Sequence, residues 1–187
     1  MELMLIRHPR TTADTDVCVG QLDVAAAPGW EAHADRLVKV LGRPDRVIAS
    51  PLIRAAALGR VLADRHRVTL ELDARLMELH FGRWEGRRWS EIDRTESDPW
   101  AEDYLHRAPP GGESYQTLLD RIASLLGELS GTETRIALVA HAGPIRAVLT
   151  QCLGLDPSSG WRFDIGHGRL TRLIERENIW RLDLLNA

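Results

Sequence analysis

The sequence predicts an α/β fold in three layers, a mostly parallel sheet covered by helices on both faces. Three observations predict it. Short apolar runs alternate with stretches whose apolar residues fall at helical spacing, the order expected of a parallel sheet with crossover helices. Two of those runs, Leu3-Met4-Leu5-Ile6 and Ile136-Ala137-Leu138-Val139-Ala140, read as buried strands, and each leads directly to a histidine, His8 and His141. The chain has 187 residues, 44% of them hydrophobic, enough for one well-packed domain and few for two.

The elements follow in order. After the first strand comes a polar loop through Gly20-Gln21-Leu22-Asp23. Residues 29–41 place Trp30, Leu37, Val40 and Leu41 at helical spacing, and Gly42 and Pro44 end that helix. Val47-Ile48-Ala49 is a second strand, and Ser50-Pro51 reads as the N-cap and first turn of a second helix. Val68 to Leu72 is a third strand. Residues 82–110 lack a regular period and hold three of the six tryptophans, Trp84, Trp89 and Trp100. Gly111-Gly112 leads into a helix through Leu129, a strand starts at Arg135, and residues 145–153 read as helix, ended by Gly154. Residues 170–175 and 179–185 read as a hairpin across Arg176-Glu177-Asn178. No repeat, low-complexity segment or linker interrupts this order.

Composition narrows the function. Net charge is −3, with 24 Lys and Arg against 27 Asp and Glu interleaved along the chain, so neither nucleic acid nor an acidic membrane is expected as a partner. Cys18 and Cys152 are the only cysteines and form no metal-type cluster. Without a leader-like start or a long apolar span, the cytoplasm is the expected compartment. Oligomeric state is not written in the sequence.

In an open α/β sheet, side chains at the carboxyl ends of strands converge on the ligand crevice. His8 and His141 are therefore expected to face one bound group. Arg7 adds a fixed cation beside His8, Arg54 lies just past the second strand, and Glu78 follows the third. This set suits phosphoryl transfer. Two arginines hold a phosphate and offset its charge. One neutral imidazole attacks phosphorus. The second, if protonated, adds a positive donor, and the carboxyl group gives a proton to the leaving oxygen and later takes one from water. The scheme needs no metal or other cofactor, and no ligand set for one is present.

At these residues the chain resembles the histidine phosphatase superfamily, also called phosphoglycerate mutase-like. The matching pieces are Leu5-Ile6-Arg7-His8-Pro9-Arg10-Thr11, Ser50-Pro51-Leu52-Ile53-Arg54-Ala55, Glu78-Leu79-His80-Phe81-Gly82-Arg83-Trp84-Glu85-Gly86, Pro109-Pro110-Gly111-Gly112-Glu113-Ser114 and Ala140-His141-Ala142-Gly143. Each alone is weak; in the family's order they are specific. The resemblance implies one histidine phosphatase domain over residues 1–187 with a phosphoglycerate mutase-like fold. It makes His8 the nucleophile, Glu78 the proton donor, and Arg7, Arg54 and His141 the phosphate pocket. It further implies that Thr11, Asp14, Gly20 and Gln21 line a loop closing over the substrate, with Ala142 as another substrate contact. Two positions depart from the family's pattern. Pro9 stands where Gly is usual, which removes an N–H and restricts His8, and His80 stands where Asp or Asn is frequent.

Each residue also has a plainer reading. A single strand-end histidine is more often structural, Arg54 alone is a surface arginine, and Glu78 alone is a solvated carboxylate. The combination reverses these. Glu85 is expected to be structural, tied to a backbone or an arginine. Trp84, Trp89 and Trp100 are expected to pack the irregular segment, with a place at the pocket mouth as the alternative for one of them. His33, His66, His106 and His167 take the surface or satisfied-core reading, and Cys18 that of a small buried thiol.

Other phosphatase chemistries lack their signatures. Asp14-Thr15-Asp16-Val17 has no apolar strand before it, as an aspartate nucleophile requires. Val24 and Ser158 stand where a cysteine phosphatase loop needs arginine, and no Gly-rich Lys-Ser/Thr loop is present. The compact chain favours hydrolysis of a small-molecule phosphomonoester. Within the family the pattern is most similar to α-ribazole phosphatases of cobalamin synthesis. The alternatives are a phosphoglycerate mutase, a broad sugar-phosphate or phosphoserine phosphatase, and a non-catalytic binder of phosphorylated ligands.

Overall fold

The computed structural model describes residues 1–131 and 134–187. Strands β1 (Glu2–Arg7), β2 (Arg46–Ala49), β3 (Leu70–Leu72), β4 (Arg135–Ala140), β5 (Leu170–Arg176) and β6 (Ile179–Leu184) form one sheet in the order β3-β2-β4-β1-β5-β6. The pairings β3–β2, β2–β4 and β4–β1 are parallel, while β5 joins β1, and β6 joins β5, antiparallel. The sheet is thus mixed, parallel across the half whose strand ends lead to Ser50, His8 and His141.

Side-chain alternation along each central strand sorts the core into two layers. Met4, Ile6, Val47, Ala49, Ala137 and Val139 face helices α1 (Glu31–Leu41) and α2 (Ile53–His66), meeting Leu37, Leu41, Leu58 and Leu62. Leu3, Leu5, Ile48, Ile136, Leu138 and Ala140 pack in the other layer, with α4 (Tyr115–Leu129) and α5 (Ala142–Cys152) supplying Leu118, Ile122, Ile145 and Val148. Burial on both faces is why β1 and β4 are unbroken apolar runs. The hairpin between β5 and β6 turns on Glu177 and Asn178, both at positive φ (53° and 60°), the pairing a two-residue type I′ turn needs.

Two local expectations are corrected. Ser50 does not cap α2; the helix starts at Ile53 with Leu52 at its N-cap, and the Ser50 hydroxyl accepts a 3.3 Å bond from Leu52 N–H. The irregular stretch contains a helix, α3 (Arg94–Glu102), started by the Asp93 carboxylate accepting from Thr95 N–H at 2.8 Å. None of its nine residues is buried and Pro99 lies inside it, so no apolar period marks it. Among the described residues, no helix is long and apolar enough to cross a membrane.

Candidate active site

Strand register builds the first half of the site. β1 and β4 pair in parallel with Arg7 opposite Ala140, so the next residue of each strand is a histidine beside a histidine. His8 N–H donates to Ala140 O at 2.9 Å, and the two rings lie 4.9 Å apart between centroids. β2 ends alongside: Ser50 N–H donates to Val139 O at 2.9 Å, and the Ser50 hydroxyl pairs with His141 Nε2 at 2.9 Å. Ser50 is therefore a site residue that its Ser-Pro context disguised as a helix cap.

His8 is 5% exposed, and its Nδ1 lies 2.6 Å from Pro9 O. With Nδ1 donating that bond, Nε2 is left with its lone pair. Pro9 adopts no positive φ, and the group it contributes is a carbonyl, which proline retains. Burial, then the Arg54 guanidinium, holds His8 well below the usual imidazole range; burial, then His8 and Arg54, does the same to His141. Both are neutral imidazoles at neutral pH.

Arg54, 2% exposed, sits in the first turn of α2 and donates to Gly20 O and Leu22 O, each at 2.6 Å. Arg7 donates to Ile165 O at 2.5 Å. Burial draws both guanidinium groups down from the ordinary arginine value. Arg7 Nε, Arg54 Nε and His141 Nδ1 are buried without any hydrogen-bond partner. A buried donor left unmade costs about 1–3 kcal/mol, so this cluster suits an oxyanion that supplies acceptors.

Glu78 is held differently. Its Oε1 accepts from Leu79 N–H at 2.9 Å and from Gly143 N–H at 3.1 Å, at the start of α5. A Cβ on Gly143 would stand 2.3 Å from that oxygen, so glycine is required for the approach. The Glu78 carbonyl accepts from Gln21 Nε2 at 2.9 Å and Arg121 Nη2 at 3.1 Å. Glu85 Oε1 accepts from both Gln21 N–H and Phe81 N–H at 2.9 Å, and it lies 2.2 Å from where a Gly20 Cβ would be. Glu85 thus ties backbone, as expected of it.

These groups surround a cavity of about 350 Å³. Of the residues singled out from sequence, Arg7, His8, Thr11, Asp14, Gly20, Arg54 and Glu78 line it. His141 is fully buried behind His8. Two expectations are corrected in detail. Gln21 does not line the cavity, because its amide is spent on the Glu78 carbonyl. Ala142 is absent from the wall too, buried in the first turn of α5. Asp14 reaches the cavity, but its carboxylate pairs with Arg88 at 3.0 Å.

Arg10, Phe81, Trp89 and His167 also line the cavity. Trp89 is the tryptophan at the mouth, edge-on to Phe81 at 5.3 Å, while fully buried Trp84 donates to Glu96 at 2.9 Å. His80 stands off the wall, 3.9 Å from Glu85 Oε1. Cys18 is buried, and its thiol is pushed up to about 12 by that burial. No single-residue signal marks Arg10 or His167, since both arrive through loop geometry.

Fold and site together define an α/β phosphatase of the phosphoglycerate mutase-like class. Comparison with known proteins narrows this. The profile of the histidine phosphatase superfamily (branch 1) matches residues 3–187, and the chain belongs to that superfamily. The glucosyl-3-phosphoglycerate phosphatase of Mycolicibacterium vanbaalenii is 30% identical over 99% of this chain and 94% of its own length. The adenosylcobalamin/alpha-ribazole phosphatase of Escherichia coli is 25% identical over 100% and 96%. The solved alpha-ribazole phosphatase from Shigella flexneri superposes with a TM-score of 0.92 at 26% identity, covering 100% of this chain and 96% of that one.

Proposed function

We propose that this phosphatase hydrolyses small phosphomonoesters through a phosphohistidine on His8, without a metal. One observation carries the reading: a neutral, cavity-lining imidazole with Nδ1 committed to Pro9 O stands among two guanidinium groups, a second imidazole and a carboxylate. Nε2 of His8 attacks phosphorus, and the bond from phosphorus to the ester oxygen breaks. Glu78 is the general acid that gives a proton to the departing oxygen. Its carboxylate then takes a proton from the water that attacks the phosphohistidine. The P–N bond breaks, and its electron pair returns to Nε2. Arg7, Arg54 and His141 hold the phosphoryl oxygens throughout, the Pro9 carbonyl supports the cationic ring of the intermediate, and Ser50 orients His141. A phosphate dianion beside His141 favours its protonated form, opposing the burial and neighbouring cations that hold it neutral in the free enzyme.

For the substrate we favour α-ribazole 5′-phosphate. Phe81 and Trp89 give the cavity aromatic walls suited to a ring-bearing leaving group, and the TM-score of 0.92 to an alpha-ribazole phosphatase supports the same choice. Arg10 in the wall favours a second reading, an anionic leaving group such as that of glucosyl-3-phosphoglycerate. The test is p-nitrophenyl phosphate turnover with a chelator present, with trapping of an acid-labile phosphoenzyme, in wild type and His8→Ala. His8-dependent turnover and phosphoenzyme support the mechanism; chelator-sensitive turnover, or turnover without His8, overturns it. The ratio of kcat/KM on the two candidate substrates then decides between them.

A further inference from the structure

His167 lies in the stretch before β5, outside the motifs that mark the family. That stretch is bound to the nucleophile's strand by backbone. Gly168 N–H reaches Arg7 O at 3.0 Å and His8 O at 3.2 Å, and Arg7 donates to Ile165 O. The His167 ring is thereby set edge-on to His8, with centroids 5.2 Å apart and planes at 68°. One side of it lines the catalytic cavity; the other lines a second cavity of about 210 Å³, next to Arg10 and Trp30. Among the described residues, no side-chain hydrogen bond is made by either ring nitrogen. The ring is half-buried and its nitrogens are not enclosed by protein, so a ligand in the cavity can reach them.

We propose that His167 is a further catalytic residue, donating a ring N–H to an equatorial oxygen of the phosphoryl group held at His8. The inference rests on the phosphohistidine reading above. Arg7, Arg10, Arg54 and His8 act on it from the catalytic side, and His33 lines the second cavity with it. Burial and those three guanidinium groups push the imidazole down to about 4, so in the free enzyme it is a neutral donor that adds no charge to a crowded cationic site. An equatorial oxygen keeps its place in the ester, the transition state and the phosphoenzyme. The contact is therefore uniform binding energy, which acts on KM rather than kcat.

The experiment compares His167→Ala, His167→Asn and His167→Gln with wild type on p-nitrophenyl phosphate, with inorganic phosphate as competitive inhibitor and Tm as the check on fold. The expected result for His167→Ala is a rise of about tenfold in both KM and the phosphate inhibition constant, with kcat within about threefold. Asn or Gln, each retaining an N–H donor, brings both constants back toward wild type. An unchanged phosphate constant in His167→Ala overturns the proposal. So does an equal loss in all three variants that tracks a fall in Tm, which assigns His167 to packing between the cavities. A wild-type enzyme that neither turns over nor responds to phosphate defeats the hydrolase reading, and this inference with it.

Discussion

The two halves of the site are built by different means. His8, His141 and Ser50 are set by strand register: β1 and β4 end level with β2 one residue short, and backbone bonds of 2.9 Å tie His8 and Ser50 to β4, the strand that carries His141. Glu78 has no strand beneath it. Its position depends on two backbone donors, on Gln21 and Arg121 at its carbonyl, and on Glu85 and Glu113 stitching the loop around it. His80 N–H and Arg121 Nη2 reach Glu113 Oε1 at 3.0 and 2.8 Å. A sheet end places a side chain through contacts that any sequence with the same register makes. A stitched loop places one through particular side chains, so it is the half more easily displaced.

The sharpest test is His8→Ala. Loss of the nucleophile is expected to reduce kcat/KM on the order of 10⁴-fold or more, with Tm unchanged or raised because a desolvated imidazole is removed from beside two cations. A collapse in Tm would show that the strand-end half is not independent of the groups mounted on it. Next is Glu78→Gln. The amide keeps an oxygen for Leu79 and Gly143 N–H but has no proton to transfer. A loss of about 10²–10⁴-fold is expected on alkyl phosphates, and far less on p-nitrophenyl phosphate, whose leaving group needs no acid. Equal losses on both would remove Glu78 from the acid's role.

The same contrast governs what the sequence made legible. The parallel strands were readable because both faces of β1 and β4 are buried, which leaves unbroken apolar runs. Their carboxyl ends then brought His8 and His141 together by the rule for open sheets. Where a residue serves the site instead of its local element, reading failed. Ser50-Pro51 matches a helix start, yet the hydroxyl is engaged by His141 and the helix begins later. Helix α3 escaped because it buries nothing. His167 escaped for a different reason: its place is dictated by Gly168 bonding to Arg7 and His8, far earlier in the chain, and no local pattern carries that. Gln21 was singled out for the right neighbourhood, but its amide faces the Glu78 carbonyl, a choice made by side-chain geometry.

Gly143→Ala sharpens the comparison on the stitched side. The added methyl would stand 2.3 Å from Glu78 Oε1, so the carboxylate must move while His8 and His141 stay on their register. A loss of about 10–100-fold is expected on alkyl phosphates, against a small one on p-nitrophenyl phosphate. If both substrates suffer alike, the α5 start is coupled to the histidines and the two halves are one.

The strand-end half also predicts acid sensitivity. His8, His141 and His167 all have folded-state values below the ordinary 6.5, so their contribution to stability is complete above about pH 6.5 and is lost as pH falls toward the folded values. In that window the unfolded chain binds more protons, and each imidazole held neutral costs about 1.4 kcal/mol of stability per pH unit. Denaturant midpoints between pH 7 and 5 should fall accordingly and recover with added inorganic phosphate, which offsets the cationic surroundings. A flat profile would contradict the buried, neutral imidazoles on which the nucleophile's role depends.

The smallest effect is expected at Pro9→Gly. The group that fixes the His8 tautomer is the Pro9 carbonyl, 2.6 Å from Nδ1, and glycine supplies the same acceptor. What glycine removes is the restriction of φ in the unfolded chain, worth about 0.4–1 kcal/mol of stability. A slightly lower Tm with kcat/KM within about threefold is therefore expected. Register already holds His8 through its own N–H to Ala140 and its carbonyl to Gly168. A loss beyond tenfold would show that the pyrrolidine ring, and not the strand, aims the nucleophile. In that case the strand-end half too would depend on one particular side chain, and its difference from the Glu78 half would be one of degree.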